Sequence, residues 1–179
     1  RSFDRSRRRL QGILRFPLRS TSGQPVTLPF VKMHALGDDF IIIDRRGLDD
    51  PITAQIARRL GNRHTGIGFN QLAVLLDCDD AAARVKFWNA NGTALQACGS
   101  ATRGVADRLM HEAGSDSIVL RTDRGLLTCT REAGRRVSVN MGPPSLEWAA
   151  VPLAEALDTL DLPLEGRPAA CSMGNPHCT

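Results

Sequence analysis

The chain has 179 residues and is 42% hydrophobic, which is enough for a packed domain of ordinary size. Its formal net charge of +4 is uneven: residues 1–29 hold seven Arg against one Asp and leave the remainder at −2, so nucleic-acid binding by the folded part is not expected. No run approaches the ~20 apolar residues of a membrane helix, and five cysteines without a secretory signal point to free thiols in a reducing cytoplasm rather than to disulfides.

Residues 1–28 are expected to be a disordered or extraneous Arg-rich leader; their acid-poor, Ser-containing composition also matches an organelle transit peptide. The fold is expected to begin at Pro29, with short apolar strands over 30–33 and 40–44 and a polar turn over 34–39 between them. Thr53 can cap a helix through Ile56, Ala57 and Leu60, with Gly61 past its end. Residues 62–68 are too polar and Gly-rich for a regular element. Runs 71–77 and 83–89 read as strands, and 89–92 (NANG) as a turn, because Asn-Gly favours positive φ.

A second helix is predicted just after Cys98. Ala101, Val105 and Leu109 lie four apart with Ala106 and Met110 beside them, and Gly114 marks its end. Apolar residues surround much of its girth, so it is expected inside the curve of a sheet. Residues 118–122, 126–130 and 136–141 read as three antiparallel strands; Pro143 and Pro144 stop the last. Residues 145–167 carry no clear element, and 171–179 read as a strand entering a Gly-Asn-Pro turn. The fold class is α/β (α+β): a curved, mainly antiparallel sheet around a central helix. Domain boundaries are expected after residues 28 and 145.

The segment that carries chemistry is 87–103 (FWNANGTALQACGSATR), which sets a thiol on a Gly-flanked turn at a helix start. The first amides of a helix lack internal partners, and with the helix dipole they favour a thiolate and can bind a substrate carboxylate. A thiol titrating near ~8.5 needs only a modest depression to ionise near neutrality. On pattern alone Cys98 is more readily a small buried residue, as most free cysteines are, and Ser100 and Thr102 could equally be ordinary caps. In 173–177 (MGNPH), Asn175 before Pro is held extended, and His177 could tune a nearby thiol or sit on a solvated turn. Asp38 and Asp39 could bind an ammonium group or cap a turn. Gly66-Ile67-Gly68 lacks the third Gly of a dinucleotide fingerprint. Without a Cys-x-x-Cys spacing, metal binding through Cys171, His177 and Cys178 is not expected.

Six blocks in order bring a family into view: 30–40 (FVKMHALGDDF), 63–72 (RHTGIGFNQL), 87–92 (FWNANG), 97–103 (ACGSATR), 139–142 (VNMG) and 173–178 (MGNPHC). From about Pro29 onward the chain resembles diaminopimelate epimerase. The resemblance implies two similar domains, each a curved sheet around a central helix, with the active site between them. It implies one thiol per domain, the thiolate removing the α-proton of a diaminopimelate centre and the other thiol delivering a proton to the opposite face, with no pyridoxal phosphate or metal. By position Cys98 is similar to the first catalytic thiol. Gly99 and Ser100 match its anion-binding turn; Asp38, Gln71, Asn89 and Asn175 match substrate-contacting positions; His177 matches a His thought to modulate thiol acidity.

The chain departs from the pattern where the family usually has Asn at 38, Asn at 100, Asp at 70 and Cys at 104. A carboxylate at 38 could repel a substrate carboxylate. The resemblance implies a second domain with its own Cys-bearing loop, of which residues 146–179 would be the connection and first part. The expected partner is a small-molecule substrate, diaminopimelate, and a homodimer of the full-length protein is left open. Another isomerase of the same architecture, proline-racemase-like or phenazine-biosynthesis-like, stays open too, as do a catalytically decayed half and, more remotely, a thiol hydrolase using Cys98 and His177.

Overall fold

The computed structural model describes residues 14–19 and 25–179. A sheet of nine strands follows the order β1-β2-β3-β4-β5-β7-β8-β9, with β6 paired to β5. Its strands are β1 (Leu14–Arg19), β2 (Pro25–Ala35), β3 (Asp38–Asp44), β4 (Gln71–Leu76), β5 (Ala83–Asn89), β6 (Ala94–Leu95), β7 (Ser117–Thr122), β8 (Gly125–Glu132) and β9 (Arg136–Asn140). Pairing is antiparallel except between β3 and β4 and between β5 and β7. Among the described residues two α-helices, α1 (Ala54–Gly61) and α2 (Gly99–Ala113), complete this body, with a short 3-10 turn at Ala133–Arg135.

The apolar runs of β3 and β4 follow from burial on both faces. Phe40, Ile42, Ala73 and Leu75 pack with α2 on the inner face. Ile41, Ile43, Leu72 and Val74 pack with α1 on the outer face. The inner cluster also takes in Val85, Phe87, Leu120 and Cys129, with Val137 and Val139 against it, so strands on both sides wrap α2. That confinement explains the small residues of α2. A Cβ on Gly104 would lie 2.4 Å from the Phe40 ring, closer than packed carbons come.

Two corrections bear on the site. The turn expected over 34–39 is only Leu36-Gly37, with φ of 53° and 92°. Two successive positive φ values make the tight hairpin whose twist suits antiparallel strands. Ala35 therefore pairs with Asp38 and His34 with Asp39, which puts Asp38 on a strand with a defined face. The expected leader is corrected as well. Leu14–Arg19 forms β1, paired antiparallel with β2, and β2 starts at Pro25 rather than Pro29. The rest of that leader, 1–13 and 20–24, lies outside the described residues.

The three strands expected near 118–141 are present as β7, β8 and β9, antiparallel throughout. Gly61 closes α1 from within, and Asn62 caps it. Beyond Pro144 a small separate core of Val151, Leu162 and Ala170 forms, with Leu153 and Leu157 against it. Polar bonds stitch it: Thr159 Oγ1 donates to the Leu146 carbonyl at 2.6 Å, and the Ala170 amide to the Thr159 carbonyl at 2.6 Å. A hairpin of β10 (Ala170–Ser172) and β11 (Pro176–Cys178) ends the chain.

Candidate active site

Register gathers the polar residues. Phe40 stands opposite Gln71 across β3 and β4, and Gln71 opposite Asn89 across β4 and β5. Side chains alternate along a strand. Asp38 therefore shares the face of Phe40, Gln71 that of Ala73, and Asn89 that of Phe87, all three on the inner face that carries α2. All three also lie at one end of the sheet, because β3 and β4 begin where β5 ends.

Cys98 enters there as the N-cap of α2. It has extended backbone, with φ −144° and ψ 111°, and no side-chain capping bond. Its carbonyl accepts from the Thr102 amide at 2.8 Å and from Thr102 Oγ1 at 2.7 Å, which locks the first turn. The thiol is half-buried against the inner core. Gly99 and Ser100 are half-buried beside it.

The acidity of the thiol departs from expectation. Burial pushes its pKa above the ordinary value, and the Asp38 carboxylate pushes the same way. The amides of Ala101 and Ser100 and the Arg103 guanidinium favour the anion, as a helix start should, but burial outweighs them. The depressed pKa expected from the sequence is therefore corrected: in this chain Cys98 favours the neutral thiol. Cys129, sealed in the same core without donors, is pushed up to about 11.

Asp38 accepts from Asn70 Nδ2 at 2.8 Å, and from the Gln71 amide at 3.0 and 3.3 Å when its nitrogen is turned toward the carboxylate. Asn89 Nδ2 donates to Thr93 Oγ1 at 2.9 Å. The final hairpin reaches the site through its turn: a Cβ on Gly174 would lie 3.3 Å from Ala97 Cβ, one residue before the thiol. Asn175 and His177 are exposed, and His177 Nε2 lies 3.2 Å from Asn175 Oδ1. His177 is not among the principal influences on Cys98. A recess of about 370 Å³ beside the site is lined by Gln96, Arg124, Leu127, Met141, Gly142 and Pro143 rather than by the thiol. Among the described residues, no group of three or more His, Cys, Asp or Glu side chains could hold a metal ion, and no helix is long and apolar enough to cross a membrane.

Three residues of this site received no role in the sequence reading: Asn70, Arg63 and Arg103. Arg103 was legible, since a cation one turn into a helix lies beside its N-terminus. Asn70 and Arg63 were not, because the carboxylates they bind, Asp38 and Asp39, lie 32 and 24 residues away in the chain.

The family model described as diaminopimelate epimerase matches residues 30–147. The chain belongs to this family. The diaminopimelate epimerase of Phenylobacterium zucineum (strain HLK1) is 44% identical over 157 residues, which are 83% of this chain and 57% of that protein. That of Acidiphilium cryptum (strain JF-5) is 43% identical over 155 residues, 84% of this chain and 56% of that protein. The chain thus spans just over half the length of these diaminopimelate epimerase relatives. A phenazine biosynthesis protein of the PhzF family from Bacillus anthracis superposes with a TM-score of 0.50 at 19% identity, covering 84% of this chain and 53% of that one. That likeness extends to the fold and matches the diaminopimelate-epimerase-like architecture.

Proposed function

We propose that the chain supplies the Cys98 side of a cofactor-independent epimerase that interconverts LL- and meso-diaminopimelate, a step of lysine biosynthesis in the cytoplasm. The observation that carries this reading is the convergence of Asp38, Gln71 and Asn89 on one inner edge of the sheet, at the helix start that presents Cys98. The amides of Ser100 and Ala101 face the Cys98 sulfur there, with no strong capping oxygen on them. They are suited to a substrate carboxylate or to the charge that builds as the α-proton leaves. Asn175 and His177 would close over the substrate from the final hairpin.

An α-proton beside a carboxylate is barely acidic, so inversion depends on two groups held on opposite faces of the carbon. On this reading Cys98 is one of them, and the second thiol comes from a further domain that begins within residues 146–179. The 179 residues alone would not complete the exchange.

The test is conversion of LL- to meso-diaminopimelate by the full-length protein and its Cys98→Ser variant. A fall of ~10³-fold or more is expected from losing one of the two proton-transferring groups that inversion needs; unchanged epimerisation in the variant would refute the assignment. A related isomerase of this fold is the second reading. The Asp38 carboxylate beside the thiol favours it, being poorly suited to a substrate carboxylate. Epimerisation of a proline or another amino acid, and none of diaminopimelate, would select it.

A further inference from the structure

Asp38 owes its place to a chain of oriented groups. Asn70 Nδ2 donates to Asp38 Oδ1 at 2.8 Å, and Asn70 Oδ1 accepts from Arg63 Nη2 at 2.8 Å. A guanidinium only donates and a carboxylate only accepts. Between them they fix which way round the Asn70 amide sits. Arg63 is anchored in turn by two bonds to Asp39, at 2.9 and 2.6 Å. Asp39 also meets Lys32 at 3.2 Å, and these two cations hold its carboxyl down to about 2. The Asn70 amide nitrogen of the backbone donates to the Asp39 carbonyl at 2.8 Å, so the start of β4 is tied to the start of β3 by main chain and side chain together.

Only an amide at position 70 satisfies both neighbours, with its oxygen toward a cation and its nitrogen toward an anion. A carboxylate there would serve Arg63 but would face Asp38 across a hydrogen-bond distance. One of the two would then have to swing away or take a proton. With the two residues exchanged, every bond can be remade in reverse: an amide at 38 donates to a carboxylate at 70, and Arg63 donates to that carboxylate. The exchange would move the negative charge away from the thiol and onto Arg63. The charged groups acting on Cys98 are Asp38 from β3 and Arg103 from α2 itself.

We infer that Asn70, oriented by Arg63, is a positioning residue that holds the Asp38 carboxylate beside Cys98, so that positions 38 and 70 act as one acid–amide pair governing the reactivity of that thiol. The inference rests on the reading of Cys98 as the reacting thiol, but its test reads the sulfur and not turnover, so the failure of one is separable from the failure of the other.

The experiment is a double-substitution cycle on the full-length protein: the wild type, Asp38→Asn, Asn70→Asp and the exchanged pair. Two quantities are read: the thermal midpoint, and the pH dependence of iodoacetamide alkylation at Cys98, followed on its peptide by mass spectrometry. Asn70→Asp should lower the thermal midpoint and slow alkylation at neutral pH several-fold. In the exchanged pair the thermal midpoint should return to near the wild type, while alkylation becomes several-fold faster than in the wild type. A merely structural Asn70 would move stability without this reversal at the sulfur. If the single effects simply add in the exchanged pair, in either readout, the inference is overturned. Should Asn70→Asp yield no folded protein, a folded exchanged pair still supports it, and an exchanged pair that also fails to fold overturns it.

Discussion

The two helices lie on opposite faces of one sheet and begin in different ways. On the outer face, α1 starts at Thr53, whose hydroxyl accepts from the Ile56 amide at 3.3 Å, and its last turn carries Arg58 and Arg59. That is an ordinary surface helix, capped, with basic residues at its negative end. On the inner face, α2 starts at Cys98, which caps nothing. The amides of Ala101 and Ser100 are turned toward its sulfur instead of a capping oxygen. On the proposed function, the strong cap that would stabilise α2 is given up for a reactive group, so local stability is traded where the site is built.

The largest effect should come from Cys98→Ser. Beside its loss of epimerisation, the variant places a good capping hydroxyl at the start of α2, so its thermal midpoint should hold or rise, by the equivalent of about 0.5–1 kcal/mol. A variant that lost stability as well would mean that Cys98 is core rather than site, and the contrast between the helices would fail.

Next comes Gly104→Val, which tests the confinement of α2. Overpacking costs of ~1–3 kcal/mol are typical, and the Phe40 ring at 2.4 Å from the added carbon argues for the upper part of that range. A urea midpoint unchanged by the substitution would show that the inner face has room to spare.

A smaller and sharper effect concerns pH. Burial and Asp38 raise the Cys98 pKa, so its alkylation should accelerate only at a pH above the ordinary thiol range. Cys129 should lag behind it. The sign for stability is the same: the folded state binds the Cys98 proton more tightly than the unfolded state does. Folded stability is therefore full below the ordinary thiol pKa and falls as pH rises beyond it. Arg103→Gln removes a charge that favours the anion, so it should shift the Cys98 profile further up. A profile that moved down would remove Arg103 from the site.

The smallest effect is on α1. Thr53→Ala should cost about 0.5–1 kcal/mol, since the capping bond is exposed and long. It should leave Cys98 alkylation unaltered, because α1 and the site sit on opposite faces of the sheet.

Much of this arrangement was legible in the chain itself. The doubly apolar runs of β3 and β4, the small-residue helix after Cys98 and the three strands beyond it follow from local periodicity, and local periodicity reflects which faces are buried. The short leader strand was not legible: a sequence dominated by Arg gives no sign that Leu14–Arg19 will pair with β2. Asp38 was read as part of a turn because Gly37 and its polar neighbours look like one. The tight Leu36-Gly37 reversal leaves Asp38 on β3 instead. Asp38 and Asn70 read as two separate departures from the family pattern, and they turn out to be bonded to each other.

The sequence by itself determined the alternation of the sheet, the girth of α2 and the thiol at its start, since each depends on residues within a few positions of one another. Only the tertiary structure decided which polar groups share the thiol's end of the sheet, how Arg63 orients Asn70 against Asp38, and that burial outweighs the helix amides at the sulfur. Those outcomes depend on charges and solvent exclusion brought together by strand register, and register joins residues whose distance along the chain carries no trace of their distance in space.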